Sequence, residues 1–440
     1  MSESKTGRGL SYPKMGILGL QHVFAMFGAT ILVPLISGLS VQVTLIGAGV
    51  GTLIFHFITK GRIPAFLGSS FAFLVGIQLI TDPVSGIFAG TAMSHDEKLA
   101  YATGGIIISG LVYLLVALLI KLIGVKNFMR YMPPVVTAPT VILIGIMLAP
   151  VAINQSRSNV FLAMLTLGLV IIAATWGKKM VKIVPILIGI GGAYLIAVGL
   201  HFVGVENPGG GPIMDFSTAA QSRAVGLPVF MMPKFSPIAI LVMIPFALAT
   251  IAEHVGDMTA LSTIIGKKFV EDPGLTRTLI GDGLASCFSG FLGGPATTTY
   301  SENIGVVAIT RVFDSRVVQL AAIYATLLGF SPLFAAIIYS VPTAIIGGAS
   351  FMLYGMIAAV GVRNLVENRV DIGKTKNLTI IAVMFVTGLG LRFGETITFS
   401  IGQTKVPIDS MGVAIAVVLG VALNAILPEK TSEEKEQAAH

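Results

Sequence analysis

The sequence has 440 residues, of which 54% are hydrophobic and 11% are charged, and its mean hydropathy is +0.90. A soluble domain carries roughly 25% charged residues, so this composition excludes a soluble globular protein and indicates a polytopic membrane protein. The single cysteine excludes an intrachain disulfide and a cysteine metal cluster, and the net charge of +7 is distributed as expected for orientation in a membrane rather than for binding nucleic acid.

Apolar runs near bilayer length recur along the chain. About 20 helical residues cross a hydrocarbon core about 30 Å thick, and at this apolar content only helices satisfy the backbone in lipid. We therefore predict an all-α polytopic membrane protein with fourteen transmembrane segments. They lie at 15–38, 42–59, 63–81, 101–124, 132–153, 158–177, 183–204, 236–262, 277–293, 301–312, 317–338, 340–362, 376–391 and 409–427.

The basic residues predict the orientation of these segments. With the amino terminus inside, most of the 28 lysine and arginine residues fall at cytoplasmic ends and loops, which is the bias expected for short loops. Both termini are then cytoplasmic, and the expected location is the cell (cytoplasmic or inner) membrane, crossed many times. The first apolar run begins near Met15 without a small-residue cleavage site, so we expect a retained segment rather than a signal peptide.

The longest polar stretch, at about 201–235, divides the chain into two groups of seven segments. An odd number in each half gives the halves opposite orientations, which is the precondition for a 7+7 inverted repeat. Pro64-Ala65 in segment 3 and Pro295-Ala296 just before segment 10 are both followed by small or hydroxylated residues. These interruptions predict short antiparallel strands and half-helices in segments 3 and 10, with a substrate site near the bilayer midplane.

Acidic and imidazole side chains fall within the predicted segments. A carboxylate at the centre of a membrane helix costs on the order of 3 kcal/mol, so such a residue should face protein or water and is a functional candidate. Burial without a cationic partner favours the protonated form of a carboxyl group, which suits proton coupling. The residues are Glu253, Asp257, Asp282 and Glu302, with His22, His56 and His254.

Several of these residues have more than one interpretation. Glu253 and Asp257 are four residues apart and so share a helix face, although Asp257 could also be a solvated residue at a cytoplasmic helix end. His254 is expected to be a packing residue, and His22 either a hydrogen-bonded core residue or a coupling element. Asp282 could relay a proton or hold the broken segments together.

The interrupted segments also predict the chemistry of the site. A helix that restarts near Ser301 would expose free N–H groups at the midplane, and segment 3 would do the same. Together with carboxylate acceptors from Glu253 and Glu302 and aromatic faces from Phe71 and Tyr300, these donors fit a neutral planar molecule with alternating N–H and C=O groups. Inorganic anions fit poorly, because no cation is available to attract them.

Residues 302–311 resemble the signature of the nucleobase–ascorbate (nucleobase:cation symporter 2) transporters. In that signature a Gln or Glu is followed by Asn, a Gly lies two residues later, and Thr plus a basic residue end the motif, as in Glu302-Asn303 through Thr310-Arg311. The resemblance extends over nearly the whole chain and is strongest to bacterial uracil permeases. It includes Gln21-His22 and the stretches 68–71, 253–256 and 272–274.

The resemblance implies a fold, a function and a division into domains. It implies a core domain at 15–124 (segments 1–4) and 236–338 (segments 8–11), and a gate domain at 132–204 (segments 5–7) and 340–427 (segments 12–14). An extracellular linker at 205–235 and a cytoplasmic tail at 428–440 complete the chain. The implied activity is proton-driven import of uracil, commonly by a homodimer, with no cofactor and no metal.

By position, the resemblance implies a uracil site with two carboxylates, two backbone amides and three lining side chains. These are Glu253 and Glu302, Phe71 and Ser301, and Ala29, Tyr300 and Tyr354. The candidates for proton coupling are Glu253, Asp257, His22, Ser70, Asp282 and Asn303. Some similar permeases have a histidine where Asp257 stands, which leaves the coupling residues open, whereas Glu302 in place of Gln favours a pyrimidine.

Other functions remain as alternatives at this point. The nearest is a proton- or sodium-coupled xanthine/purine permease of the same fold. A channel or an anion carrier of similar fold is a second, although the polar tail after Pro428 is too short for the cytoplasmic domain that those carriers append. A membrane-embedded enzyme is disfavoured, because the sequence has no zinc-spaced His/Glu cluster and no nucleophile elbow.

Overall fold

The computed structural model describes residues 11–84, 86–394, 398–401, 404–407 and 411–428, so the predicted tail lies outside the described residues beyond its first position. The helices are α1 Tyr12–Ser37, α2 Val41–Ile58, α3 Ala72–Thr81, α4 His95–Ile123, α5 Val125–Tyr131, α6 Pro134–Ser156, α7 Val160–Trp176, α8 Met180–Ile183, α9 Pro185–Phe202, α10 Ser217–Gln221, α11 Pro237–Ile265, α12 Leu275–Phe291, α13 Ser301–Thr310, α14 Ser315–Gly329, α15 Pro332–Tyr339, α16 Thr343–Glu367, α17 Thr375–Phe393 and α18 Gly412–Ile426. The strands are β1 Leu67–Ser69, β2 Thr297–Thr299, β3 Thr398–Ile401 and β4 Thr404–Pro407.

Many of these helices are long and apolar enough to cross a bilayer. Within the described residues there are 8 such helices, or 9 if the bent pair α14–α15 forms one span. The helices α3, α7 and α18 are shorter but also apolar. The prediction of a mostly helical protein that crosses the membrane several times is therefore confirmed.

The predicted segment at 317–338 differs from the structure in one respect. The chain forms α14 and α15 there, and the two helices meet at an angle of 83°. Ser331 lies at the break, where its hydroxyl accepts a hydrogen bond from the N–H of Phe334, and Pro332 opens α15. Because proline has no N–H to donate to the preceding turn, it begins a helix more readily than it continues one.

Two short strands, one from each half of the chain, pair with each other and form the strand crossing. β1 pairs antiparallel with β2 in the register Leu67–Thr299, Gly68–Thr298 and Ser69–Thr297, as predicted for segments 3 and 10. Each strand has three residues and is followed by a helix of ten residues, α3 or α13. Since antiparallel strands lead into these helices, α3 and α13 extend from the crossing in opposite directions.

The largest helix–helix interfaces fall into two groups. In the first group α2, α4, α11, α12 and α14 pack on one another, and α1 packs on α14. In the second group α6, α7 and α9 pack with α16, and α17 packs with α6 and α18. The strand crossing belongs to the first group, since β1 contacts α2 and β2 contacts α12.

Some elements between the predicted segments were not anticipated. β3 and β4 form an antiparallel hairpin between α17 and α18, and α5, α8 and α10 are short helices in connections. A kinked turn at Val270–Gly274, in which Asp272 has an extended backbone, precedes α12.

Candidate functional site

Glu253 lies near the middle of α11, and its side chain is exposed. Ala249, one turn earlier on the same helix, is only 3% exposed. An ionised side chain at this depth is tolerated where it faces protein or water rather than lipid. A space therefore opens beside the middle of α11, at Glu253.

Asp257 connects α11 to the strand crossing. Its Oδ1 accepts a hydrogen bond from the hydroxyl of Ser301 at 2.7 Å, and its Oδ2 accepts one from the hydroxyl of Thr299 at 2.8 Å. The side chain is 6% exposed, so Asp257 is a buried structural link and not a solvated residue at a helix end. Its carboxylate turns toward β2 and α13, whereas Glu253 faces the open space.

The amino terminus of α13 lies beside this link. Ser301 is the first residue of the helix and is exposed, and Glu302 is the second and is half-buried. No side chain caps the helix from Tyr300, so the first backbone N–H groups of α13 keep their hydrogen-bonding capacity for other acceptors. Phe71 has the corresponding position before α3, where it is also half-buried and also lacks a side-chain cap bond.

Tyr300 joins the strand crossing to α1. Its hydroxyl donates to the backbone carbonyl of Ser69 at 2.8 Å and accepts from the hydroxyl of Thr30 at 3.2 Å. A β-carbon on Gly68 of β1 would overlap the ring of Tyr300. The Tyr300 side chain is 4% exposed and Ala29 is 3% exposed, and both belong to one buried apolar cluster rather than to an open platform.

His22 and Asn303 form a second connection between α1 and α13. The Asn303 amide nitrogen donates to the backbone carbonyl of His22 at 3.0 Å and lies 3.1 Å from His22 Nδ1. Both side chains are buried. The two predicted coupling candidates are therefore in direct contact, one residue from Glu302.

A third connection involves the remaining acid. Nδ1 of His254 lies 3.1 Å from Oδ2 of Asp282, and both side chains are fully buried. Within the described part of the chain, Asp282 is the one intramembrane acid that lies this close to a nitrogen of a basic side chain, and that side chain is a histidine, which is charged only when protonated. Ser70 is also fully buried, and its N–H donates to the carbonyl of Ala296 across the crossing at 2.8 Å.

Tyr354 lies in the second group of packed helices. It is 2% exposed and borders a cavity of about 210 Å³ between α6 and α16, together with Gly145, Ala149 and Phe351. The strand crossing thus gathers Asp257, Tyr300 and Ser301, while Tyr354 occupies the opposing helix group.

Three connecting residues were not predicted from the sequence, namely Thr30, Ser69 and Thr299. The threonine run Thr297–Thr299 indicates extended backbone, because β-branched residues favour strands. Because side chains alternate along a strand, residues 297 and 299 share one side, and their hydroxyls contact Ser286 and Asp257 respectively. That alternation is the signal that could have identified Thr299.

The arrangement has the donors and acceptors to bind an uncharged polar ligand. Glu253 and Glu302 offer carboxylate acceptors beside accessible space, and the start of α13 offers backbone donors. A carboxylate only accepts and an N–H only donates. A ligand that alternates N–H and C=O groups along one edge would satisfy both kinds of group.

Comparison with known proteins identifies relatives of this chain among the permeases. The sequence profile of a permease family, the xanthine/uracil permeases, matches residues 13–397. The chain is 40% identical to the uracil permease of Bacillus subtilis over 94% of this chain and 93% of that protein. It is 38% identical to the putative pyrimidine permease RutG of Escherichia coli over 96% of this chain and 91% of that protein.

Solved structures with low sequence identity share the fold. The transmembrane domain of the cyanobacterial bicarbonate transporter BicA has a TM-score of 0.59 at 15% identity, covering 93% of this chain and 96% of that domain. The murine anion transporter solute carrier 26 family member A9, in its inward-facing state, has a TM-score of 0.63 at 10% identity, covering 93% of this chain and 68% of that protein. The chain therefore belongs to the xanthine/uracil permease family, the nucleobase–ascorbate transporters that its motifs resemble, and is a multi-pass membrane transporter rather than an enzyme.

Proposed function

We propose that the chain is a symporter that imports uracil across the cytoplasmic (inner) membrane together with protons, by alternating access. The observation that carries this proposal is the position of two carboxylates that are not fully buried, Glu302 in the first turn of α13 and Glu253 on α11, one turn before the Asp257 that binds Ser301. The relatives named uracil permease, at 40% and 34% identity over most of the chain, support the choice of substrate.

Uracil matches the donors and acceptors of this site. Its two N–H groups would donate to Glu253 and Glu302, and its carbonyl oxygens would accept from the backbone amides of Phe71 and Ser301. Hydrogen bonds to charged groups contribute about 1.5–3 kcal/mol each. Ala29 and Tyr300 would border the ring, and Tyr354 would approach it from the second helix group.

The same proposal includes the full topology. Fourteen segments would form a 7+7 inverted repeat, with α3 and α13 as half-helices that meet at the strand crossing. The equal lengths of the two strands and of the two helices that follow them support this symmetry. Both termini would be cytoplasmic.

We assign the two groups of packed helices to two domains. The core domain would comprise 15–124 and 236–338, and the gate domain 132–204 and 340–427, joined by the extracellular linker 205–235. The separation of the main helix interfaces into these groups supports the division. The functional unit would be a homodimer.

Proton coupling would depend on the buried polar connections around the site. Asp257, His22 and Asn303 link α11 or α1 to the start of α13, and Asp282 contacts His254 next to Glu253. Ser70 holds the crossing from the other half. A proton bound at Glu253 could thus alter how the two carboxylates are held and how firmly uracil binds.

Transport in proteoliposomes tests the function. With purified protein and an inward proton gradient, we expect uptake of labelled uracil that a protonophore abolishes and that increases as the external pH falls. Unlabelled uracil should compete far better than xanthine or another purine. Preferential competition by xanthine would make the chain a purine permease, and sodium-dependent uptake that ignores the protonophore would overturn proton coupling.

A further inference from the structure

Each strand of the strand crossing has an outer edge. Within the described residues, β1 and β2 form a sheet of two strands, and the N–H of Ser70 donates to the carbonyl of Ala296 across it at 2.8 Å. In an antiparallel pair, residues that bond to the partner alternate with residues whose N–H and C=O groups point away from it. Thr297 follows Ala296 directly and Leu67 lies three residues before Ser70, so both residues turn their backbone groups to the outer edges.

These outer edges lie in the interior of the protein. Leu67 and Thr297 are both buried, and a buried backbone N–H or C=O without a hydrogen-bond partner costs free energy. Each edge therefore requires a donor and an acceptor from a neighbouring element.

Thr52 of α2 supplies both groups for β1. Its hydroxyl accepts from the N–H of Leu67 at 2.9 Å and donates to the carbonyl of the same residue at 3.1 Å. The Thr52 side chain is fully buried. One hydroxyl thus makes the two bonds that a residue of a neighbouring strand would make.

Ser286 of α12 does the same for β2. Its hydroxyl accepts from the N–H of Thr297 at 3.0 Å and donates to the carbonyl of that residue at 3.0 Å. The helices α2 and α12 pack on each other, and a β-carbon on Gly51, beside Thr52, would lie close to the side chain of Ala285, beside Ser286. The two hydroxyls therefore come from adjacent positions on neighbouring helices.

The two bonded residues have equivalent places in the two halves of the chain. Leu67 is the first residue of β1, and Thr297 is the first residue of β2. Phe71 follows Leu67 by four residues, and Ser301 follows Thr297 by four. Because an extended chain rises about 3.3 Å per residue, each fixed residue lies within about 13 Å of the residue that begins its half-helix.

We propose that Thr52 and Ser286 are positioning residues for the uracil site. Each hydroxyl fixes the first residue of one strand and thereby the backbone amide, of Phe71 or Ser301, that would bind a carbonyl of uracil. The inference rests on the proposed function for the identity of the ligand. Both hydroxyls are used by strand backbone, so they act on uracil only through the position of the two half-helices.

Substitutions of Thr52 distinguish positioning from packing, because the two roles predict opposite orders. Thr52→Val keeps the shape and loses the hydroxyl, whereas Thr52→Ser keeps the hydroxyl and leaves a small cavity. We expect Thr52→Val to weaken uracil binding about tenfold and Thr52→Ser to remain within about twofold of the parent. Calorimetry at a temperature where every variant is folded measures both. Parent-like binding by Thr52→Val together with weaker binding by Thr52→Ser would assign Thr52 to packing and overturn the proposal.

Buried hydroxyls on the same two helices are the controls. The Thr44 hydroxyl of α2 donates to the carbonyl of Ser40, four residues earlier. Ser289 of α12 is buried, and its hydroxyl has no hydrogen-bond partner within the described part of the chain. Thr44→Val and Ser289→Ala should bind uracil as the parent does, whereas Ser286→Ala should bind it about tenfold more weakly. Equal binding by Ser286→Ala and Ser289→Ala would overturn the role of Ser286, and this pair carries the test if Thr52→Val does not fold.

Hydrogen exchange separates the role of the hydroxyls from the identity of the ligand. Without uracil, the backbone amides of 67–71 should exchange about tenfold faster in Thr52→Val than in the parent, because the edge of β1 opens more readily. They should be unchanged in Thr44→Val, and Ser286→Ala should have the same effect on 297–301. A parent that binds no uracil but shows this exchange pattern would refute the proposed function and keep the hydroxyls as supports of the crossing. Parent-like exchange in both Thr52→Val and Ser286→Ala would overturn the inference even if uracil binds.

Discussion

The hydroxyl of Ser301 donates to Oδ1 of Asp257 at 2.7 Å, and this bond ties the first residue of α13 to the middle of α11. Glu253 lies one turn before Asp257, and Glu302 follows Ser301 directly. A second bond, from Thr299 to Asp257 Oδ2, fixes the end of β2 to the same carboxylate. The relative position of the two proposed uracil-binding carboxylates therefore depends on a residue that need not touch uracil.

Replacing Asp257 by alanine should lower both stability and uracil affinity. It would leave the buried hydroxyl of Thr299 without its acceptor, which costs about 1–3 kcal/mol, and would remove the bond from the Ser301 hydroxyl. Thermal unfolding of the purified protein and uracil binding by calorimetry measure the two effects. Asp257→Asn is the matched control, because an amide can accept from one hydroxyl and donate to the other. An alanine variant as stable as the parent would remove Asp257 from this structural role.

Tyr300→Phe removes the hydroxyl of Tyr300 and keeps its ring, so it distinguishes the roles of the two groups. The hydroxyl bonds to Ser69 and Thr30, so its loss should cost about 1–3 kcal/mol of unfolding free energy. The ring that would border uracil remains, so uracil affinity should change by less than about fivefold. Denaturation and binding measurements on the same preparation distinguish the two quantities. A large loss of affinity with unchanged stability would instead place the hydroxyl in direct contact with uracil.

The sequence predicts where apolar helices lie, but not which helices and side chains contact one another. Long apolar runs predict spanning helices because the backbone has no other partner in lipid, and Gly293-Gly294-Pro295 correctly predicts the interruption before α13. Ser331-Pro332 is a similar helix-breaking pair, but apolar residues continue on both sides of it. The length of this apolar run therefore favours one segment at 317–338, where the structure has the two helices α14 and α15.

The contacts of the site depend on chain regions far apart in sequence. Nothing local shows that Gly68 packs against the Tyr300 ring or that Asp257 meets Thr299. The first contact requires the pairing of β1 with β2, and the second requires α11 to pack on β2. The acids could be identified as candidates from their cost in a membrane. Their distinct environments could not be predicted from the sequence. Glu253 and Asp257 are one turn apart on α11, yet Glu253 is exposed and Asp257 is buried.

Gly68 and Gly256 should respond in opposite ways to the same substitution. A β-carbon at Gly68 would overlap the Tyr300 ring, so Gly68→Ala should destabilise the protein by about 1–3 kcal/mol, as overpacking does. A β-carbon at Gly256 would meet no atom within 4 Å, so Gly256→Ala should stabilise α11 by up to about 1 kcal/mol. Thermal unfolding compares the pair directly. Equal effects of the two substitutions would contradict the close contact at the crossing.

Glu302→Ala tests the carboxylate at the start of α13. Loss of one hydrogen bond between uracil and a charged acceptor should weaken binding about ten- to hundredfold, with the thermal unfolding of the purified protein unchanged. Glu367→Ala removes an exposed carboxylate at the end of α16 and should leave uracil affinity at its parent value. Glu302→Gln keeps the size of the side chain and adds a donor. It should therefore weaken the binding of uracil and reduce the discrimination against xanthine. Near-parent uracil binding by a folded Glu302→Ala protein would exclude Glu302 from the site.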